Sequence, residues 1–255
     1  MPLLHICVLF LAGLCGGVLN AVAGGGILMT FPALVATGVL PIAANATSTV
    51  ALWPGSIASA GAYRRELPAH HRLLLLMLVL ASLMGGGVGA ALLLHTSRRA
   101  FAQLTPYLLL SATLLFAFGG PLAARLHART GRHRSYAQLA LSGLTLMQLA
   151  IATYGGYFGG GSILMLAAFG LMDLGNIHAL NALRLVLVTC TTGAAVVSLA
   201  LAGAVLWPQA LIMTAGAVVG GYGGARVVRR LNPRVVRRCV ILVGVGVTVY
   251  FFIRT

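Results

Sequence analysis

The chain contains no lysine and only two acidic residues, Glu66 and Asp173, against seventeen arginines in 255 residues. Without lysine there is neither a Walker A phosphate loop nor a pyridoxal Schiff base. Two carboxylates so far apart in sequence cannot build an all-protein magnesium or calcium cage or a carboxylate-rich dimetal centre. Charged residues supply 7% of the chain, where an average soluble domain carries about a quarter. Cys7, Cys15, Cys190 and Cys239 fall singly within apolar runs, with no CxxC or Cys/His spacing. That argues against a zinc site or a disulfide framework and reads them as small core residues. No cofactor and no metal are expected, and the energy for any transport must come from another chain or an ion gradient.

What is present is apolar: 60% of residues are hydrophobic and 33 are glycine. The composition predicts an all-α polytopic membrane protein. Its hydrophobic segments run over 3–22, 27–38, 43–62, 73–94, 104–123, 137–157, 163–173, 177–202, 207–228 and 236–253. Several approach the ~20 residues that a helix needs to cross the hydrocarbon. The segments 27–38 and 163–173 do not, and give only ~18 Å of helix at ~1.5 Å per residue. They follow the triplets Gly24-Gly25-Gly26 and Gly159-Gly160-Gly161.

These short segments occupy matching places in a duplicated chain. At an offset of 136, Gly24, Gly25, Ile27, Leu28, Met29, Ala43, Asn45, Ala46 and Val50 fall on identical residues from Gly160 to Val186, and Asn45 falls on Asn181. Gly85, Gly86 and Gly89 match Gly220, Gly221 and Gly224 at 135. The expected division is a first transmembrane repeat over 1–123, a basic cytoplasmic linker over 124–136 and a second repeat over 137–255, each of about five segments. The run ending in Ala21-Val22-Ala23 imitates a signal-peptide cleavage site. It lacks a basic n-region and continues into repeat-matched residues, so 3–22 is read as a mature helix.

An odd number of crossings per repeat makes the second copy enter the bilayer inverted, and the arginines agree. Placing 63–72, 124–136 and 226–238 in the cytoplasm puts 13 arginines inside and leaves Arg98, Arg99 and Arg254 outside. Both termini are then expected outside the bacterial cytoplasmic (inner) membrane. Because the arginines flank hydrophobic segments, they report topology and lipid contact rather than nucleic acid binding.

The residues Gly24-Gly25-Gly26-Ile27-Leu28-Met29-Thr30-Phe31-Pro32, Pro41-Ile42-Ala43-Ala44-Asn45-Ala46-Thr47-Ser48-Thr49 and Trp53-Pro54-Gly55-Ser56 resemble the TauE/SafE family of sulfite and organosulfur-linked anion exporters. In the second half Gly159-Gly160-Gly161-Ser162, Asn181-Ala182-Leu183-Arg184 and Gly220-Gly221-Tyr222-Gly223-Gly224-Ala225-Arg226 agree. The likeness covers nearly the whole chain and is specific for the family, not for the substrate. It implies a non-enzymatic transporter of a small anion: sulfite, a sulfonate or a carboxylate. This chain departs from the family pattern where Ala168 replaces a second-copy proline and Leu183-Arg184 stand opposite Thr47-Ser48.

Paired, glycine-interrupted short segments point to a transporter's midplane site. Each triplet lets backbone amides approach a ligand, and each following helix begins with unpaired N–H groups and a positive macrodipole end. Two such ends facing one centre suit an anion. The candidate substrate-binding residues are Gly24, Gly25, Gly26, Asn45, Thr47, Ser48, Gly160, Gly161, Ser162, Asn181 and Arg184. Arg184 lies ~10 Å along its segment, a costly depth for a cation. It could fork onto an oxyanion, snorkel to the cytoplasmic interface or pair with Asp173. Intramembrane hydroxyls and amides also serve as helix glue, and Ser162 could cap its helix instead of donating to a ligand. Asp173 and His178 are candidates for proton coupling, set against the reading that both are solvated loop groups. The series Gly216, Gly220, Gly224 reads as close helix packing, and Trp53, Trp207 and Tyr63 read as interface anchors.

The leading functional expectation is a secondary transporter or facilitator exporting sulfite or another small anion by alternating access. The competing expectations are a non-transporting membrane scaffold subunit and, remotely, an intramembrane serine protease using Ser162 and His178. A homo-oligomer is left open.

Overall fold

A computed structural model describes residues 2–22, 24–62, 72–129, 137–159, 161–162, 164–165, 177–227 and 233–254. Among these residues there are nine helices: α1 (Leu3–Val22), α2 (Ile27–Ala36), α3 (Pro41–Ala62), α4 (Arg72–His95), α5 (Arg98–Arg129), α6 (Ala137–Phe158), α7 (Ile177–Leu201), α8 (Trp207–Val227) and α9 (Pro233–Arg254). The boundaries follow the hydrophobic segments closely, except that α5 starts at Arg98 and continues through Arg129 into the basic stretch. Most of the segment 163–173 lies outside the described residues. Leu3–Asn20, Leu73–His95 and Ala182–Leu201 are each apolar and long enough to cross a membrane, and α2 is a shorter apolar helix.

The burial pattern is that of a protein in lipid. Leu76, Leu80, Met84, Val88 and Leu92 form an exposed apolar ridge along α4 at four-residue spacing, while Thr30, Asn45, Thr47, Ser48, Ser82 and Gln148 are buried. With hydrocarbon outside, apolar faces lose nothing by exposure, and association rests on close packing and interhelical hydrogen bonds. For the same reason Cys7 and Cys15, expected as core residues, are exposed on α1, and Cys190 is only partly buried. Hydropathy cannot tell a lipid-facing position from a core one when both solvents are apolar.

The helices pack across the halves of the chain. α1 packs on α8 and α6 on α4; α3 packs on α8 and α7 on α4; α3 also meets α7, and α5 meets α9. Under the expected repeat, exchanging the halves turns α1–α8 into α6–α4 and α3–α8 into α7–α4, and returns α3–α7 and α5–α9 to themselves. The closest approaches are glycine-mediated. Gly220 of α8 lies against the Leu14 carbonyl of α1, and Gly85 of α4 against the Leu149 carbonyl of α6, the same relation 135 residues along. Gly216 likewise lies against the Phe10 carbonyl, so at least these two members of the spacing-four series serve packing.

Polar bonds tie the same helices together. Asn20 Nδ2 donates to Ser56 Oγ at 2.8 Å between α1 and α3. Gln148 Nε2 donates to Ser82 Oγ at 2.8 Å between α6 and α4. The short α2 is anchored by Phe31, whose ring lies 5.7 Å from Phe158 at the end of α6 and 5.8 Å from Phe251 of α9.

Candidate functional site

Each glycine triplet opens with a residue in the left-handed region, Gly24 at φ 74° and Gly159 at φ 75°. A side chain in that conformation is strained by its own backbone, so glycine is the natural occupant. Space adds a second requirement. A β-carbon on Gly24 would collide with the Ser162 hydroxyl and stand 3.3 Å from Arg184 Nη1. One on Gly159 would come within 2.7 Å of Ile27 Cδ1. The two turns therefore touch each other across the halves.

The third glycine of each triplet has another duty. Gly26 faces the Gly16 carbonyl and the Leu52 side chain, and Gly161 faces the Ile151 carbonyl and Gly155. These positions seat each turn on the helix before it. Gly25 is buried.

Arg184 is fully buried on α7, which removes the reading in which it snorkels to an interface. Its guanidinium stands beside Gly24 and Ser162, so a cation, a hydroxyl and a glycine turn preceding the start of α2 share one place. In α2 the Leu28 and Met29 N–H groups already donate to the Gly25 and Gly26 carbonyls, so the amides ahead of them are those the helix itself leaves for a ligand. A planar fork of donors beside such an end has the geometry to hold an oxyanion.

The α3 residues divide by what their polar atoms already do. Asn45 is fully buried and its Nδ2 donates to the Tyr157 carbonyl at 2.7 Å, just ahead of the second glycine turn. Its Oδ1 is buried without a hydrogen-bond partner. Thr47 Oγ1 accepts from the Leu206 N–H at 3.1 Å, satisfying a backbone donor at the start of α8. Ser48 is fully buried and its Oγ has no hydrogen-bond partner.

The structure thus brings Gly24, Ser162 and Arg184 together and ties Asn45 to the Tyr157 carbonyl just ahead of the second turn. Gly160 and Asp173 lie outside the described residues, as do the side chains of Asn181 and His178. Two contacts were missed by sequence reasoning. The Tyr157 carbonyl that orients Asn45 is a backbone group and carries no sequence signal. Trp53, read as an interface anchor, instead donates from Nε1 to the Thr189 carbonyl of α7 at 3.1 Å and packs beside Gly193. Trp207 is exposed, in keeping with its reading as an anchor.

Residues 9–251 match the family model described as Sulfite exporter TauE/SafE. A Haemophilus influenzae protein named "Probable membrane transporter protein" is 28% identical over 245 residues, covering 95% of this chain and 92% of that protein. An Escherichia coli protein named "Probable membrane transporter protein YfcA" is 28% identical over 247 residues, covering 95% and 87%. A Sinorhizobium protein named "Probable membrane transporter protein ORF9" is 26% identical over 244 residues, covering 94% and 90%. No solved structure matches the chain.

Proposed function

The chain belongs to the sulfite exporter TauE/SafE family, and on that premise we propose that it is a secondary transporter carrying sulfite or another small anion out across the bacterial cytoplasmic membrane. The observation that carries this reading is the meeting of Gly24, Ser162 and the buried Arg184 guanidinium where the two glycine turns touch. A buried arginine is costly in a bilayer and is retained where it faces a partner or a polar path. Here the anion is held between Arg184, Ser162 and the amides that open the short helices, with Asn45 and Asn181 as the matched amides of the two halves and Ser48 as the first-half position that corresponds to Arg184 in the repeat.

The two halves are read as inverted repeats rocking about this site, with both termini outside. The cross-packed helix pairs and the reciprocal glycine contacts support that reading. An inside-negative potential drives a monoanion outward with about 2.3 kcal/mol per 100 mV, so a uniporter needs no coupling carboxylate in its path. Proton coupling through Asp173 or His178 is the alternative mode.

The test is efflux from proteoliposomes loaded with sulfite under an imposed potential. Wild type should show potential-dependent efflux, and Arg184→Gln should lose it by roughly 30-fold or more, as expected for removing a buried charge that holds its counter-ion. Absence of movement of any loaded anion by folded, inserted wild type would overturn the reading.

A further inference from the structure

Two buried polar atoms of α3 are left over once the helix contacts are made. The Asn45 amide is oriented by its bond from Nδ2 to the Tyr157 carbonyl, so the group left without a partner is Oδ1. Oδ1 can only accept a hydrogen bond. Ser48 lies three residues on, and positions three apart share a helix face. The other hydroxyls of α3 are engaged: Thr49 donates to the Asn45 carbonyl, Ser56 to Leu52, Ser59 to Gly55, and Thr47 accepts from Leu206. Ser48 is the exception on this helix. Buried polar groups are nearly always hydrogen-bonded, and those left open ask for a partner that the fold does not supply.

An acceptor is the wrong group to offer a bare oxyanion, whose oxygens are acceptors too. It suits the part of a ligand that carries an O–H. The charge available is limited as well. Among the described side chains Arg184 is the one buried arginine, so that part of the site carries a single guanidinium charge whatever else it touches. A dianion would leave at least one negative charge uncompensated in a medium of low dielectric, where that cost is high.

Resting on the transporter reading above, we infer that the cargo is a monoanion that itself donates a hydrogen bond: a singly protonated oxyanion such as hydrogensulfite, or a hydroxyl-bearing sulfonate. The negative end is held at Arg184 and Ser162, and the donor end at Asn45 Oδ1 and Ser48 Oγ.

The deciding comparison is proteoliposome transport of isethionate against ethanesulfonate. Both are permanent monoanions, and they differ by one hydroxyl. A site built to bond a hydroxyl discriminates strongly against the analogue without it, so isethionate should move at least about tenfold faster. Sulfate should not move, and sulfite flux should fall as pH rises through the near-neutral pKa at which hydrogensulfite becomes the dianion. Ser48→Ala, which removes no hydrogen bond within the protein, should retain the wild-type melting temperature and reduce the isethionate preference. Equal rates for the two sulfonates, sulfate moving as fast as the monoanions, or a preference unchanged in Ser48→Ala would each overturn the inference. In those cases anions still move and the transporter reading stands. If no anion moves at all, both fall together.

Discussion

Gly24 lies so close to Ser162 that a β-carbon on the first would occupy the place of the second's hydroxyl. Counting 135 residues along from each gives Gly159 and Ser162 from Gly24 and Ile27, and the contact between Gly159 and Ile27 is the same relation seen from the other half. Each left-handed glycine therefore receives the residue that follows the opposite triplet. One of those residues is a hydroxyl and the other an isoleucine, so two similar turns create chemically unequal sides. Arg184 stands on the hydroxyl side.

Gly24→Ala should be far more damaging than an ordinary glycine substitution. The left-handed backbone costs roughly 1–2 kcal/mol, and the collision with Ser162 adds about 1–3 kcal/mol of overpacking. Gly38→Ala is the control, because Gly38 has φ 88° but open space around it and should show only the backbone cost. Melting temperatures in detergent would separate the two. Equal shifts would sink the claim of a crowded turn.

Thr47→Val should lower stability by about 0.5–2 kcal/mol, since its hydroxyl satisfies the Leu206 N–H at the start of α8. The same measurement on Ser48→Ala should show little change, because that hydroxyl has no partner within the protein. A larger loss for Ser48→Ala than for Thr47→Val would contradict the division of labour between these neighbours.

Trp53→Phe keeps an aromatic body between α3 and α7 and removes the bond to the Thr189 carbonyl. The expected loss is about 1 kcal/mol. It should appear as a lowered unfolding midpoint, with Trp207→Phe unchanged because Trp207 lies exposed at the helix end. An unaltered midpoint for Trp53→Phe would show that the bond adds nothing measurable.

Gly220→Ile should push α8 away from the Leu14 backbone of α1 and cost about 1–3 kcal/mol. Gly87→Ala, a helical glycine of α4 with nothing near it, should be neutral or stabilising by up to about 1 kcal/mol. Thermal unfolding of the two variants checks the contrast, and a destabilised Gly87→Ala would count against it.

The helices were legible because a bilayer asks for long apolar runs and the loops punctuate them: 3–22, 73–94 and 207–228 are each found within a residue or so of their expected ends. The triplets were legible as turns because runs of glycine are costly within a helix and permitted where the chain must enter the left-handed region. Less of the site could be read. Asn45, Thr47 and Ser48 form one polar cluster in sequence, yet one amide is held by a carbonyl 112 residues away, one hydroxyl caps another helix, and one hydroxyl is left over. Backbone carbonyls such as those of Tyr157 and Thr189 are present at every position, so nothing in the sequence singles them out as partners.

The amino-acid sequence alone determined that this is a helical membrane protein with two glycine turns in corresponding places and an arginine within an apolar segment, because lipid solvation and backbone sterics act on local composition. Tertiary structure decided that the turns touch, that Arg184 is enclosed beside Gly24 and Ser162, and that Cys7 and Cys15 face outward while Trp53 faces in. With apolar surroundings on both sides of a helix, hydropathy cannot choose its inner face. That choice was made by close glycine contacts and by the few polar groups that had to find one another across the fold.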